Sequence, residues 1–227
     1  MKNLAHFQLI IWDLDGTLYY QKEFRCKMAK VMIKELCFKP KRWKELFLVL
    51  YYRRLREIWD ISDVAPDLET RQYQKAGEKF GFSTDIAKKI VENWMQNIPL
   101  YYLGEFRDDT AAEIILKLQR EKKKVVVYSD YPTEEKLEAL GVWVENSFSP
   151  LQPEIGCLKP NPKGLNFIIK KYGIEKSKVL MIGDRLEKDG KAALAAGIQY
   201  EILPRHRKKR KKYYEENGIE ERNVLVQ

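Results

Sequence analysis

The chain has 227 residues, 44% hydrophobic and 33% charged, a balance that suits a globular protein and excludes a disordered one. No apolar run approaches the roughly 18–20 residues of a membrane span, and Asp13 and Asp15 interrupt the early apolar stretch where a signal peptide would need its core; no membrane partner and a cytoplasmic location are expected. The net charge of +9 favours anionic partners, while two histidines and three cysteines (Cys26, Cys37 and Cys157, without a C-x-x-C pair) leave histidine triads, zinc sites and disulfide frameworks short of parts.

In chain order, the first element is an apolar run, Phe7–Trp12, read as a strand. It ends in Asp13-Leu14-Asp15-Gly16-Thr17. Two carboxylates two residues apart on extended backbone project to one side and repel unless something uses them. A calcium loop opening on Asp13 would want Gly at 18 and Glu at 24, where the chain has Leu18 and Phe24. From 19 to 104 no strand pattern occurs. Apolar residues recur at helical steps over Phe24–Leu36, Arg42–Trp59, Leu68–Phe80 and Thr84–Asn97, punctuated by Pro40, Pro66, Gly81 and Pro99. This predicts a helical insertion, with Trp43, Trp59 and Trp94 in its core.

Strands and helices then alternate. Thr110–Arg120 has a helical face, and Val125–Tyr128 reads as a strand that delivers Ser129 and Asp130. Lys159 precedes a helix opened by Asn161-Pro162 and closed by Gly173. Val179–Ile182 reads as a strand delivering Asp184 and Asp189, and Tyr200–Leu203 is a weaker fourth. The pattern predicts a doubly wound, Rossmann-like α/β core with a parallel sheet over 1–18 and 105–204, and an inserted all-helical cap over 19–104. The remainder, 205–227, is expected as a basic tail. Its run RHRKKRKKYY, 205–214, reads as a solvated helix or frayed end, with binding to nucleic acid or an anionic surface as the alternative.

Functional groups in such sheets gather at the carboxyl ends of the strands. Here those ends offer carboxylates, one hydroxyl and one lysine. Carboxylates hold a hard cation, and Mg2+ fits because it takes a few of them and keeps its waters. The lysine and hydroxyl suit phosphate oxygens, and Gly16 permits a tight turn whose N–H groups can approach a phosphate.

These residues resemble a known family. DLDGTL at 13–18, Ser129, Lys159 and GDRLEKD at 183–189 match, in order, the four motifs of the haloacid dehalogenase superfamily, and KAALAAGI at 191–198 is similar to its following helix. The match covers roughly 5–18 and 105–203, and the insertion stands where the family carries a helical cap. The resemblance implies that Asp13 is a nucleophile forming an aspartyl-phosphate, and that Asp15 is the acid for the leaving alcohol and then the base for water. It implies Mg2+ on the Asp13 carboxylate, the Asp15 backbone carbonyl and Asp184. Asp189 would support the metal's waters or Lys159. Phosphoryl oxygens would meet Lys159, Ser129, the Gly16-Thr17 turn and the Asp130 N–H. The family's dehalogenases lack the second aspartate and its phosphatases keep it, so Asp15 implies a magnesium-dependent phosphatase of small phosphorylated metabolites. A phosphomutase would use the same residues, and a nucleic-acid 3′-phosphatase would use the basic tail. Asp130, where asparagine is common, and Arg185, where a small residue is frequent, depart from the family pattern.

Overall fold

The computed structural model describes residues 4–39, 42–58 and 68–217. Its centre is a five-stranded parallel sheet, β1 (Leu9–Trp12), β2 (Lys124–Tyr128), β3 (Asn146–Phe148), β4 (Val179–Gly183) and β5 (Gln199–Ile202), in the order β3-β2-β1-β4-β5. Leu9 faces Lys124 on one side and Val179 on the other. Both faces are covered, which is why β1 and β4 are apolar throughout. On one face Ile10, Trp12, Val125, Val127, Leu180 and Ile182 pack with Ile114, Ile115 and Leu118 of α6 (Asp109–Arg120). On the other, Leu9, Ile11, Val126, Val179 and Met181 pack on α8 (Lys163–Tyr172) and α9 (Lys191–Ala196). A further helix, α7 (Glu134–Leu140), follows β2.

Four of the strands match the expected apolar runs to within two residues at either end. The fifth, β3, was not expected: with Asn146 and Ser147 in three residues it has no apolar run to announce it. The opening of α8 is also built differently. The side-chain oxygen of Asn161 accepts from the Lys163 N–H at 2.9 Å, while Pro162 stands just before the first turn. Gly173 closes the helix in the left-handed region at φ 62°, as expected.

Among the described residues five helices lie between β1 and α6: α1 (Gln21–Phe38), α2 (Trp43–Ile58), α3 (Leu68–Phe80), α4 (Thr84–Glu92) and α5 (Ile98–Leu103). A π-helical turn, Asn93–Asn97, joins the last two, so the helix runs on past the point where Pro99 was expected to end it. Pro99 is the second residue of α5, directly after the Ile98 N–H closes the π turn on the Asn93 carbonyl. These helices have an apolar core of their own, including Leu48, Tyr52, Tyr73, Ala87 and Trp94. Trp43 is 38% exposed and so is not part of it, and Trp59 lies outside the described residues. The chain leaves and re-enters the sheet layer at one place: Tyr20 N–H donates to the Phe106 carbonyl at 2.9 Å, and Asp108 N–H to that of Leu18 at 2.9 Å.

The basic segment after β5 is not merely a solvated end. Arg207–Glu216 form α10, and its Arg210 and Tyr214 are buried. Arg210 donates to the carbonyls of Gly16 at 2.6 Å and Thr17 at 3.0 Å, and to Asp108 Oδ2 at 3.2 Å. The Tyr214 hydroxyl donates to the same Asp108 oxygen at 3.0 Å. The helix thus braces, from behind, the turn that follows β1. Among the described residues no helix is long and apolar enough to cross a membrane.

Candidate active site

Strand order reverses at β1, the usual place for a site in such sheets. Asp13 follows β1, Ser129 follows β2 and Asp184 follows β4, so three separate segments meet at the sheet's carboxyl edge. Lys159 reaches the same point from the loop ahead of α8. Its Nζ donates to Asp13 Oδ1 and Asp189 Oδ1, both at 2.6 Å, and all three residues are buried. The other Asp13 oxygen accepts from the Thr17 hydroxyl at 2.9 Å. Asp189 spends its second oxygen on the Arg185 N–H at 3.0 Å. Its two oxygens are thus divided between the Lys159 ammonium and the backbone after β4.

Oxygens of Asp13, Asp184 and Asp189 lie within 4.8 Å of one another. Burial, then the anions of Asp189 and Asp184, push Asp13 well above the usual carboxylate range, although Lys159 pulls it down. Burial followed by Asp189 raises Asp184 to about 6. For Lys159, burial alone would lower the pKa, but Asp13 and Asp189 outweigh it and hold the ammonium charged. Asp184 Oδ1 is buried with no hydrogen-bond partner. Its Oδ2 meets Arg205 at 3.2 Å and lies where a Cβ on Gly16 would stand, 2.5 Å away. Gly16, at φ 97°, is therefore needed both for its backbone shape and for the approach of Asp184. Crowded carboxylates with an unsatisfied buried oxygen fit a hard divalent cation such as magnesium.

Asp15 belongs to a different group. Its carboxylate accepts from the Tyr19 hydroxyl at 2.6 Å, from Ser129 Oγ at 3.1 Å, and from Lys136 Nζ at 2.7 and 2.9 Å. Burial alone would raise its pKa, but Lys136 and these hydrogen bonds hold it below the ordinary value. The Asp15 side chain therefore stands outside the carboxylate cluster; only its backbone carbonyl was expected on the metal. Asp130 turns its carboxylate to the Lys159 N–H at 2.9 Å, fixing the lysine's backbone.

Sequence reading missed several contributors. Lys136 was one lysine among many on an ordinary helix. Arg56 of α2, buried, donates to the Asp130 carbonyl and lies 4.4 Å from the centre of the Tyr131 ring, joining the helical layer to the loop after β2. Arg25, Arg53 and Arg54 line a cavity of about 340 Å³ whose other walls include Asp13, Asp15, Ser129 and Lys159. In the sequence Arg53, Arg54 and Arg56 are indistinguishable from solvated charges on a helix face.

Known proteins share this fold. A family model for haloacid dehalogenase-like hydrolases matches residues 7–197. Among solved structures, a 2-haloacid dehalogenase from Pseudomonas syringae pv. Tomato DC3000 superposes with a TM-score of 0.61 at 16% identity, over 87% of this chain and 86% of that one. The hydrolase YfnB from Bacillus subtilis, solved with magnesium bound, gives 0.58 at 13% identity, over 92% and 97%. A protein assigned as a phosphoglycolate phosphatase from Haemophilus somnus 129pt gives 0.52 at 21% identity, over 87% and 85%. At such identities the likeness is one of fold. Among curated proteins no relative matches the chain. The family match spans β1 to β4, the helical insertion and every motif residue from Asp13 to Asp189, and on that ground the chain belongs to the haloacid dehalogenase-like hydrolases.

Proposed function

We propose that the chain is a magnesium-dependent phosphatase that hydrolyses small phosphate monoesters through an aspartyl-phosphate at Asp13. The observation that carries the reading is Asp15: a second carboxyl group two residues beyond the nucleophile, held in its own hydrogen-bond set and lining the same cavity. Displacement of halide from carbon needs no proton for its leaving group, whereas an alcohol leaving phosphorus does.

Asp13 is the attacking group because Lys159 and Thr17 each fix one of its oxygens, which sets the angle of the carboxylate. Lys159 also places positive charge where phosphoryl oxygens gather. Asp15 is ionised beside Lys136, and an arriving phosphate dianion changes that balance. It competes for the ammonium and raises the affinity of Asp15 for a proton. Asp15 takes up a proton from solvent as the ester binds and passes it to the leaving oxygen, and afterwards takes one from the water that frees the phosphate. Magnesium, held by Asp13, Asp184 and the Asp15 carbonyl, would supply charge neutralisation of the phosphoryl group. The arginines lining the cavity add attraction for the dianion. The proposed cytoplasmic setting supplies magnesium and phosphorylated metabolites together.

The test is phosphate release from a panel of phosphorylated metabolites, with and without magnesium. Activity should require magnesium, vanish in Asp13→Asn, and fall about 10²–10⁴-fold in Asp15→Asn. Normal phosphate release by Asp13→Asn would refute the reading. A phosphomutase would reveal itself by isomerised sugar phosphate in place of free phosphate.

A further inference from the structure

A second cavity, of about 280 Å³, opens inside the helical layer. Met28, Met32 and Ile33 of α1, Leu50 of α2, Trp94 and Leu100 form much of its wall. It joins the catalytic cavity: Asp15, Gln21, Arg25, Arg53 and Tyr131 line both. Ile33 and Leu50 are each 52% exposed although both are large and apolar. Apolar side chains left wet inside a concavity gain free energy from an apolar occupant.

The junction decides what that occupant is. Asp15 gives its proton to the oxygen that leaves phosphorus, so the carbon on that oxygen lies beside Asp15 on the side away from Asp13. That side is the shared wall, and beyond it lies the apolar cavity. We propose, resting on the phosphatase reading above, that the leaving alcohol is an apolar one: the substrate is the phosphate monoester of an alkyl or aryl alcohol whose body fills this cavity. A dry cavity of about 150 Å³ accepts benzene, so 280 Å³ accommodates a group larger than one phenyl ring. Arg25 and Arg53 stand where the two cavities meet, lining both. They mark the throat, where the polar end of such an ester stops and its apolar end begins.

The test is calorimetric titration of the full chain, in magnesium, with alkylphosphonates from methyl to hexyl, whose carbon–phosphorus bond is not hydrolysed. The dissociation constant should fall about threefold to fourfold for each added methylene. In Leu50→Asn and in Ile33→Asn, both at exposed positions that folding tolerates, the gain should drop below about twofold per methylene. Equal affinities along the series, or an undiminished gain in both variants, would overturn the apolar subsite. If Asp13-dependent ester hydrolysis were intact alongside flat affinities, the subsite alone would fall. A rising series from a protein that releases phosphate from no ester would instead remove the phosphatase reading, and with it the leaving-group assignment.

Discussion

Asp184 is held where its own charge is disfavoured. Burial first and the Asp189 anion second raise its pKa to about 6, against roughly 3.9 for a free aspartate. The native state therefore binds more protons than the unfolded chain between those values, and this group makes stability fall as pH rises from about 4 to about 6. Above that range the loss is complete, and a bound cation reverses it. Asp184→Asn should accordingly stabilise chelator-treated protein at pH 8 by about 1–3 kcal/mol while losing the stabilisation that magnesium gives the wild type. Denaturant titration with and without magnesium reads both effects, and a variant still stabilised by magnesium to the wild-type extent would count against Asp184 as a ligand. Residues of this kind were legible in the sequence because their chemistry is tied to position: Asp13, Asp15, Ser129, Lys159, Asp184 and Asp189 each follow a strand or precede a helix. Lys136 and Arg56 were not. In a chain with 42 lysines and arginines, a lysine such as Lys136 that reaches the half-buried Asp15 looks like the rest until the backbone is placed.

α10 shows the same limit for an element. Its sequence is so basic that it reads as solvent-facing, yet Arg210 and Tyr214, four residues apart, lie on one helix face and both are buried. Arg210 carries four hydrogen-bond contacts, to Gly16, Thr17, Pro204 and Asp108, and so ties the C-terminal helix to the turn that aims Asp13. Arg210→Ala leaves Asp108 buried without its cation, a loss that typically costs about 3–5 kcal/mol. The urea midpoint should drop accordingly with little change in slope; a change under about 0.5 kcal/mol would show that the brace is dispensable. The tyrosines at 213 and 214 inside the basic run were the available signal, since a freely solvated helix has no use for two adjacent rings. β3 gave no comparable sign: three residues, two of them polar, are recruited only because β2 already offers a paired edge.

At the scale of the whole molecule the parallel sheet brings the loops to one edge and the helical layer sits over them. The alternation of apolar runs and helical faces made the sheet readable, because each strand covered on both faces has to be apolar. The insertion was readable as helical but not in its bearing on the site. Its α1 and α2 supply the arginines above the carboxylates, and Arg56 fastens α2 to the loop after β2. Contacts between segments so far apart in sequence leave no local pattern. Those two layers enclose the cavity that Asp13 lines. The most direct measurement is acid quenching during turnover of a phosphate ester, borohydride reduction, and peptide mapping by mass spectrometry. A phosphorylated Asp13 is reduced to homoserine, so the account predicts that product at position 13 alone, and none when magnesium is withheld. An unmodified Asp13 in protein trapped during rapid phosphate release, or the modification at another carboxylate, would contradict it.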